Sequence, residues 1–569
     1  MTSVYLLISC IIFNFVQTYS GMFTINKNDP APIYSTVFPY FYLYNKQNTF
    51  QLPIFDYCVE DLKYNFQFSF TPFYQRSDKG SNFCECLAQL GDLTGRPNLL
   101  AVLPYNHFKA DISKDIYNNP CDDDKHRIAK IKDCYSDIPC ELLVFNKTAG
   151  LVVKTNVPQL LYEIRDELLA CVNCENEYIS CTPEKLLSVE SLLALQNYTP
   201  NFGTYSVPIR YRKAGVRFQG SFMFSRCLGV NIQFGFANIS QCPTFISQNN
   251  YCPVISTINT TTNTTTNINT CNQCTGNICA IPSSSFATPC GDLNPIVCKN
   301  PLPNELTNAQ WQNVVACVEN TLMSQLRPIC DALNLDVCNF SRTAIEDVHA
   351  ELFFRQGYEF GDPNDLSCWS NILLVPFASV GGSLGVAPER DQNVLFALPN
   401  GNDGHNSVDF RGGFSVAFKG TIEATAEAGF THFYSRKSCN YRIPTNDFQR
   451  FIYPYGTSAK INPGNTWHIG LCMNAYHFID NLSFYAQYLL VNHDPDRIYL
   501  LEDNCTGGFK PDKLECLTAW KNNLATVCFN YDFTPQVSLG LLWQFSMKRA
   551  NNYNNNTLML SLILNSVCD

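Results

Sequence analysis

Residues 408–433 read VDFRGGFSVAFKGTIEATAEAGFTHF, and this stretch decides the fold. In its first half, apolar residues such as Phe410 and Phe414 alternate with Asp409 and Arg411. In its second half, alanines alternate with acidic residues and threonines. A period of two is typical of a β-strand whose two faces meet different surroundings. The short break near Gly420 predicts that the two halves form an antiparallel hairpin, with one apolar and one charged face.

The same alternation recurs along the chain. It predicts twelve strands, an even number, as bacterial single-chain outer-membrane barrels have. They span residues 62–74, 216–224, 230–236, 348–358, 372–386, 408–418, 422–430, 467–478, 483–491, 519–532, 536–547 and 557–565.

The connections between these strands alternate in length. Short ones fall at 225–227, near 420, at 479–482 and at 533–535, and long ones lie between them. Only the medium connection at 361–370 departs from this rhythm. Outer-membrane barrels join their strands by short turns on the periplasmic side and by long loops outside the cell. The pattern therefore predicts extracellular long loops and two periplasmic termini.

A membrane explains why every strand has a polar face. In hydrocarbon every backbone group must be paired within the protein, so strands cross only as a closed barrel that is apolar outside and can be polar inside. No run of 18 apolar residues offers a helical span instead. The chain resembles the Gram-negative outer-membrane β-barrel proteins. The predicted fold is all-β: an antiparallel up-and-down transmembrane β-barrel of about 12 strands, with long disulfide-rich extracellular loops that contain short helices.

Composition and the first residues place the chain outside the cytosol. It has 28 cysteines, only 15% charged residues and a net charge of -10, which argue against a cytosolic enzyme and against a nucleic-acid partner. The apolar start predicts a signal peptide over residues 1–20. A periplasmic segment over 21–61 would precede the barrel over 62–569, with large loop insertions at 76–204 and 240–342.

Cysteines concentrate in those two insertions, where an oxidising compartment favours disulfides. Two pairs with the spacing of zinc knuckles or redox motifs, 171/174 and 271/274, keep those alternatives open. The cysteine-rich surface resembles that of chlamydial major outer membrane proteins, and this resemblance implies self-association or crosslinking through disulfides. The disulfide candidates are Cys84, Cys86, Cys121, Cys134, Cys140, Cys171, Cys174, Cys181, Cys242, Cys252, Cys271, Cys274, Cys279, Cys290, Cys298, Cys317, Cys330 and Cys338.

The inward faces carry the candidate functional residues. We expect them either to line a pore that screens solutes by charge or to fill a narrow barrel with salt bridges. Arg210 and Arg212 have the opposite parity and would face inward only after a bulge near residues 213–215. The pore-lining candidates are Arg217, Asp347, His349, Glu351, Arg355, Asp409, Arg411, Lys419, Glu423 and Glu427.

The function expected is a porin-like channel for small hydrophilic solutes in the outer membrane of a Gram-negative-type bacterium, in contact with its lipid. One alternative is a non-conducting structural envelope protein or an adhesin that binds through its large loops. A secreted cysteine-rich glycoprotein is the other, since nine Asn-x-Ser/Thr sequons occur. The sequence shows no catalytic motif, so we expect no enzyme activity, no cofactor and no metal site.

Overall fold

The computed structural model describes residues 65–103, 143–146, 150–153, 203–246, 318–360, 372–418, 422–501 and 509–567, apart from isolated positions, and a few residues between 161 and 168. Its main sheet contains the barrel strands β1 (Asn65–Ser77), β2 (Ile209–Met223), β3 (Leu228–Pro243), β4 (Val348–Arg355), β5 (Ile372–Leu384), β6 (Ser407–Phe418), β7 (Ile422–Phe433), β8 (Thr466–Ile479), β9 (Leu482–His493), β10 (Trp520–Thr534), β11 (Val537–Ala550) and β12 (Asn556–Val567).

These strands form a closed antiparallel barrel. Each pairs with the next along the chain, and β12 pairs with β1, where Phe68 lies opposite Leu564. The sheet has 14 strands by hydrogen bonding, and the two short ones, Phe340–Ile345 and Tyr358–Phe360, continue β4 at its two ends. Twelve barrel strands remain, which confirms the predicted fold class and strand count.

A β-bulge interrupts the start of the fourth strand. Ile345 lies opposite Phe236 of β3, whereas His349 lies opposite Gln233, so four steps on one strand match three on the other. The extra residue falls at Glu346–Asp347, where the Glu346 amide donates to the Gly235 carbonyl at 2.8 Å. A bulge re-aims the side chains beside it. Here it places both acids at the end of the barrel where the long loops lie.

The two faces of the barrel wall differ as the alternation predicts. Inward side chains are almost all buried, and they include many polar residues as well as apolar ones such as Phe73, Tyr485 and Leu542. Outward side chains are apolar and exposed, and they include Phe66, Phe70, Tyr74, Ile232, Phe236, Leu352, Phe354, Phe410, Phe414, Phe418, Ile469, Leu471, Phe529, Tyr531, Leu541, Trp543, Leu558, Leu560, Leu562 and Leu564.

The described parts of the long connections fold together into a cap at one end of the barrel. It contains a three-stranded sheet (Arg436–Arg442, Gly456–Asn462, Arg497–Leu500), a second small sheet (Lys79–Ser81, Leu87–Gln89, Asn552–Tyr553) and helices α1 (Leu326–Ala332) and α2 (Pro511–Cys516). Two 3-10 turns, Leu90–Asp92 and Leu100–Val102, and the hairpin Leu143–Asn146/Gly150–Val153 complete the described connections.

The cap has its own hydrophobic core, and that core is continuous with the barrel. Leu93, Tyr441, Tyr453 and Ile461 from different connections pack together with Tyr211, an inward residue of β2. A core shared by the loops and the inner wall seats the cap in the barrel mouth.

The predicted loop helices are described only in part. Helical residues lie between 161 and 168, in the first large loop insertion, and from 318 onwards, in the second. The predicted signal peptide over 1–20 and the predicted periplasmic segment over 21–61 lie outside the described residues. In the part of the chain that is described, no helix is long and apolar enough to cross a membrane.

Candidate functional site

A charged belt follows the inner wall across β4 to β9. Arg411 of β6 donates from Nη2 to Glu351 Oε1 of β4 at 3.0 Å, and its Nη1 lies 3.9 Å from Glu427 Oε2 of β7. Gln487 of β9 donates from Nε2 to Glu427 Oε1 at 3.0 Å. His349 Nδ1 lies 3.7 Å from Asp409 Oδ1. These polar contacts thus link four strands, β4, β6, β7 and β9.

Glycines make room for the belt. A Cβ at Gly381 of β5 would come within 2.9 Å of Asp409 Oδ2, and one at Gly470 within 2.7 Å of Glu427 Oε1. A Cβ at Gly429 would meet the His468 ring. Asp409, Glu427 and the His468 ring therefore each lie close to the wall beside a neighbouring glycine.

A second cluster lies nearer the cap. Glu346, positioned by the bulge, contacts Lys213 Nζ at 2.7 Å and Arg217 Nε at 2.9 Å. The Arg217 guanidinium carbon lies 4.1 Å from the centroid of the Phe73 ring, close enough for a cation–π contact. A Cβ at Gly235 would come within 2.5 Å of Glu346 Oε2, so glycine makes room for this cluster too.

The structure brings most of the pore-lining candidates together and places some elsewhere. Glu423 is buried inside the barrel beside the belt, and Arg355 is half-buried at the end of the barrel with the short turns. Asp347 instead accepts the backbone amides of Ala387 at 3.0 Å and Asn402 at 2.6 Å, so it anchors the β5–β6 connection. Lys419 lies outside the described residues.

The β5–β6 connection, residues 385–406, enters the barrel mouth. Asn400 accepts a hydrogen bond from Lys213 Nζ at 3.4 Å through its carbonyl and donates from Nδ2 to the Ala237 carbonyl at 3.2 Å. Gln241 of β3 donates to the Leu395 carbonyl at 3.4 Å. We name this connection the mouth loop. It is held by inward residues of β2 and β3 and by Asp347.

The interior is packed in this structure. Arg411 is 6% exposed and Arg217 3% exposed, although both lie inside the barrel. On the other side of the interior, Phe73, Tyr485 and Leu542 form an apolar cluster with Cys472 and Cys528. Arg411, Glu351 and Glu427 form an ion-pair network among the described residues, and both interpretations of the inward residues remain predictions. That these residues line an open pore is a prediction.

Several inward polar atoms have no hydrogen-bond partner among the described residues. Both ring nitrogens of His468, both side-chain polar atoms of Asn474 and of Asn522, and Glu351 Oε2 belong to this group. A buried polar atom without a partner costs roughly 1–3 kcal/mol. The interior therefore contains polar groups for which the described residues provide no hydrogen-bond partner.

Sequence reasoning did not find every residue of the site. It missed Glu346, Lys213, His468 and Gln487, although His468 and Gln487 follow the inward parity of their strands. Glu346 could not be found by parity, because the bulge falls beside it.

Few of the disulfide candidates fall in the described residues. Cys242, Cys330 and Cys338 are free thiols there, and burial raises the pKa of Cys330 to about 12. Cys84 and Cys86 lie in an exposed turn, and the remaining candidates lie outside the described residues. The disulfide-rich loops stay a prediction. Cys516, which the sequence analysis did not single out, is disulfide-bonded.

Fold and inner wall together define a class, the closed twelve-strand antiparallel barrel that is apolar outside and polar inside. No family model and no curated protein matches the chain. Among solved structures, the chain is similar to an outer-membrane channel from Pseudomonas putida F1, with a TM-score of 0.35, 8% identity and coverage of 90% of this chain and 100% of that one.

Two further similar structures are more distant. The translocator domain of the autotransporter NalP from Neisseria meningitidis has a TM-score of 0.26 and 8% identity, over 63% of this chain and 81% of that one. The toluene transporter TodX from Pseudomonas putida has a TM-score of 0.21 and 8% identity, over 64% of this chain and 72% of that one.

Proposed function

We propose that the protein is an outer-membrane β-barrel channel for small hydrophilic solutes, held closed in this structure by its mouth loop and its packed interior. The observation that carries the proposal is the polar inner wall, whose buried groups are only partly satisfied by protein partners.

The outer wall supports the membrane location. Exposed phenylalanines and leucines cover it, and Phe410, Leu471 and Leu560 are each about half exposed at 53%, 58% and 45%. Monomeric soluble proteins rarely expose an apolar surface that surrounds the molecule. A bilayer covers such a surface, and the closed barrel leaves no unpaired strand edge in the lipid. In the orientation that we propose, the cap and the mouth loop lie outside the cell.

The inner wall supports a conduit rather than a permanent plug. A barrel that only needs a filled interior is most stable when that interior is apolar or fully hydrogen-bonded. This one instead carries unpartnered amides, such as those of Asn474 and Asn522, and a carboxylate-rich belt around Arg411. Water inside the barrel would satisfy these groups, so we infer that they are hydrated when the mouth loop leaves.

The test is conductance of the purified full-length chain in a planar bilayer. We expect small or infrequent currents from the natural sequence. A variant in which residues 392–400 are replaced by a Gly/Ser segment of the same length should give frequent openings, because it removes the Asn400 amide that donates to the Ala237 carbonyl and the Leu398 side chain that packs in the core of the cap. The control is R497Q, because Arg497 pairs with Glu515 at 3.3 Å on an exposed face of the cap. If the loop variant conducts no more than R497Q, the channel proposal is wrong.

A second candidate function uses the cap. Its 17-residue core makes it a stable folded surface, as an adhesin or a structural envelope protein needs. The resemblance to disulfide-crosslinked chlamydial porins favours the same role through self-association. Deletion of residues 250–300, which lie outside the described residues, tests this function. The deletion should abolish binding to a partner or to cells and leave the conductance unchanged. We expect no hydrolysis of phospholipid vesicles by this chain.

A further inference from the structure

We propose that Arg210 and Arg212 on the outer wall of β2, with Arg76 of β1 beside them, bind the phosphate group of a phosphorylated lipid in the outer leaflet. The inference rests on the proposed outer-membrane location and goes beyond the channel function.

The register places the three arginines on one patch. Arg76 and Arg212 lie directly opposite each other on neighbouring strands, and Arg210 lies two residues further along the same face of β2. All three are exposed. Side chains opposite each other in an antiparallel pair are about 5 Å apart at Cβ, and like charges in that position repel each other. An anion between them would relieve this repulsion.

Among the described residues, an acid pairs with Arg76 of the patch but not with Arg210 or Arg212. Asp78 accepts hydrogen bonds from Arg76 Nε at 2.9 Å and Nη2 at 2.6 Å. Neither Arg210 nor Arg212 has an acidic partner among the described residues. Elsewhere on the loop side of the barrel, Lys548 of β11 pairs with Glu85 at 2.8 Å. The β2 arginines therefore leave positive charge available to a ligand.

The height of the patch on the wall identifies the ligand. Tyr74 lies two residues below Arg76 and is 45% exposed, and it pairs with Leu558, which pairs with Trp543 in turn. Trp543 Nε1 donates to Asn556 Oδ1 at 2.6 Å, in the row of Arg76. Aromatic girdles mark the edges of the apolar band of such barrels. Two residues along a strand rise about 6.7 Å, which brings the arginines to the lipid headgroups.

The neighbouring strands complete a polar notch above the apolar band. Ser240 of β3 lies opposite Arg212. Asn238, one row lower, donates to Ser341 Oγ at 3.2 Å and Thr343 Oγ1 at 2.8 Å. Below them Val216 and Phe236 pair on the apolar wall. When the phosphate of a lipid binds at the arginines, the acyl chains of that lipid can contact Phe236 and Phe70 on the apolar wall. A free anion would contact only the arginines. Guanidinium groups suit this role because they bind phosphate through paired hydrogen bonds.

The experiment measures lipid binding to the full chain in neutral detergent by native mass spectrometry. The probes are an acylated diglucosamine lipid with two phosphates and the same lipid without phosphate. We expect the natural sequence to retain the phosphorylated lipid and R210Q/R212Q to bind it at least about tenfold more weakly, because each charge-assisted hydrogen bond is worth about a factor of ten or more. Binding should also weaken as salt is raised.

The matched control is K437Q/K460Q, which removes two exposed lysines that lie opposite each other across strands of the cap. It should leave lipid binding within about twofold of the natural sequence, because exposed charges beyond the screening length interact weakly. Equal binding by R210Q/R212Q, or equal binding of the lipid without phosphate, would overturn the proposal. If inorganic phosphate competes as well as the phosphorylated lipid, the site takes a free anion and the lipid assignment is wrong. Conductance of the same variants separates this outcome from failure of the channel proposal.

Discussion

Arg411 on β6 and Glu351 on β4 form a 3.0 Å ion pair across the intervening strand β5, where Ser379 lies opposite Arg411 and Gly381 lies opposite Glu351. Asp409 and Glu427 lie beside the same guanidinium, so three carboxylates converge on one arginine. The belt also depends on Gly381, because a Cβ there would come within 2.9 Å of Asp409 Oδ2 and 3.1 Å of His349 Cε1.

Replacing Gly381 by alanine should lower the stability of the barrel by about 1–3 kcal/mol, the cost of overpacking a tight interior. The new Cβ would come within 2.9 Å of the Ala350 carbonyl and of Asp409 Oδ2. The measurement is the midpoint of the heat-induced shift in gel mobility. Gly412→Ala is the control, since its Cβ would first meet the Phe377 carbonyl at 3.5 Å, an ordinary contact. Equal midpoints for the two variants would contradict the proposed role of Gly381.

Glu351→Gln should destabilise the barrel more than Glu427→Gln. Glu351 makes the 3.0 Å contact with Arg411, whereas Glu427 lies 3.9 Å away and also accepts from Gln487, an interaction that a glutamine can keep. Loss of one of the three carboxylates should cost least stability where the distance from that carboxylate to the Arg411 guanidinium is longest, because the Coulomb attraction falls with distance. Denaturant unfolding of both variants tests the order, and the reverse order would show that the belt is assigned wrongly. In any conducting state, Glu427→Gln should also reduce cation preference, because a fixed charge sets the local ion concentration.

The barrel could be predicted from sequence because lipid imposes a rule that is local in the chain. Each strand must alternate apolar and polar residues, and β6 and β7 show this pattern without knowledge of any other strand. The same parity predicts that Arg210 and Arg212 face outward unless a bulge intervenes. The register of β2 contains none, and both are exposed.

The features that escaped prediction depend on contacts between distant segments. The bulge lies in β4 rather than β2, and the sequence around Glu346 and Asp347 carries no mark of it. The cap joins residues as far apart as Leu93 and Tyr553, and each stands alone between polar neighbours, so no local periodicity marks it as part of a core. The role of a glycine such as Gly381 cannot be seen in the sequence. It depends on which side chain of a neighbouring strand, here Asp409, lies against it.

Glu346→Gln should be the most damaging single change in the interior. Glu346 contacts both Lys213 and Arg217, which are 1% and 3% exposed, and the variant leaves two buried cations beside a neutral amide. Removal of one member of a buried ion pair costs about 3–5 kcal/mol. The yield of folded barrel in detergent and its denaturant midpoint measure the loss. Adding Lys213→Met should restore part of it, and no recovery in the double variant would contradict a charge-based explanation.

The stability of the cap near Asp92 should fall as pH rises. Burial raises the pKa of Asp92, an effect that is opposed by hydrogen bonds from Ser206 Oγ at 2.6 Å and the Val207 amide at 2.8 Å, and by Arg96. A carboxyl group whose folded pKa is raised contributes stability that is fully present below its unfolded pKa, about 3.9, and is lost as pH rises through the folded value. Amide hydrogen exchange of residues 203–209, corrected for the intrinsic pH dependence, should show protection that decreases over this interval. Asp92→Asn should remove the dependence, because the amide oxygen still accepts hydrogen bonds but does not titrate, while Asp331→Asn on the exposed face of α1 should leave it intact. A pH dependence that persists in Asp92→Asn would assign the effect to another group.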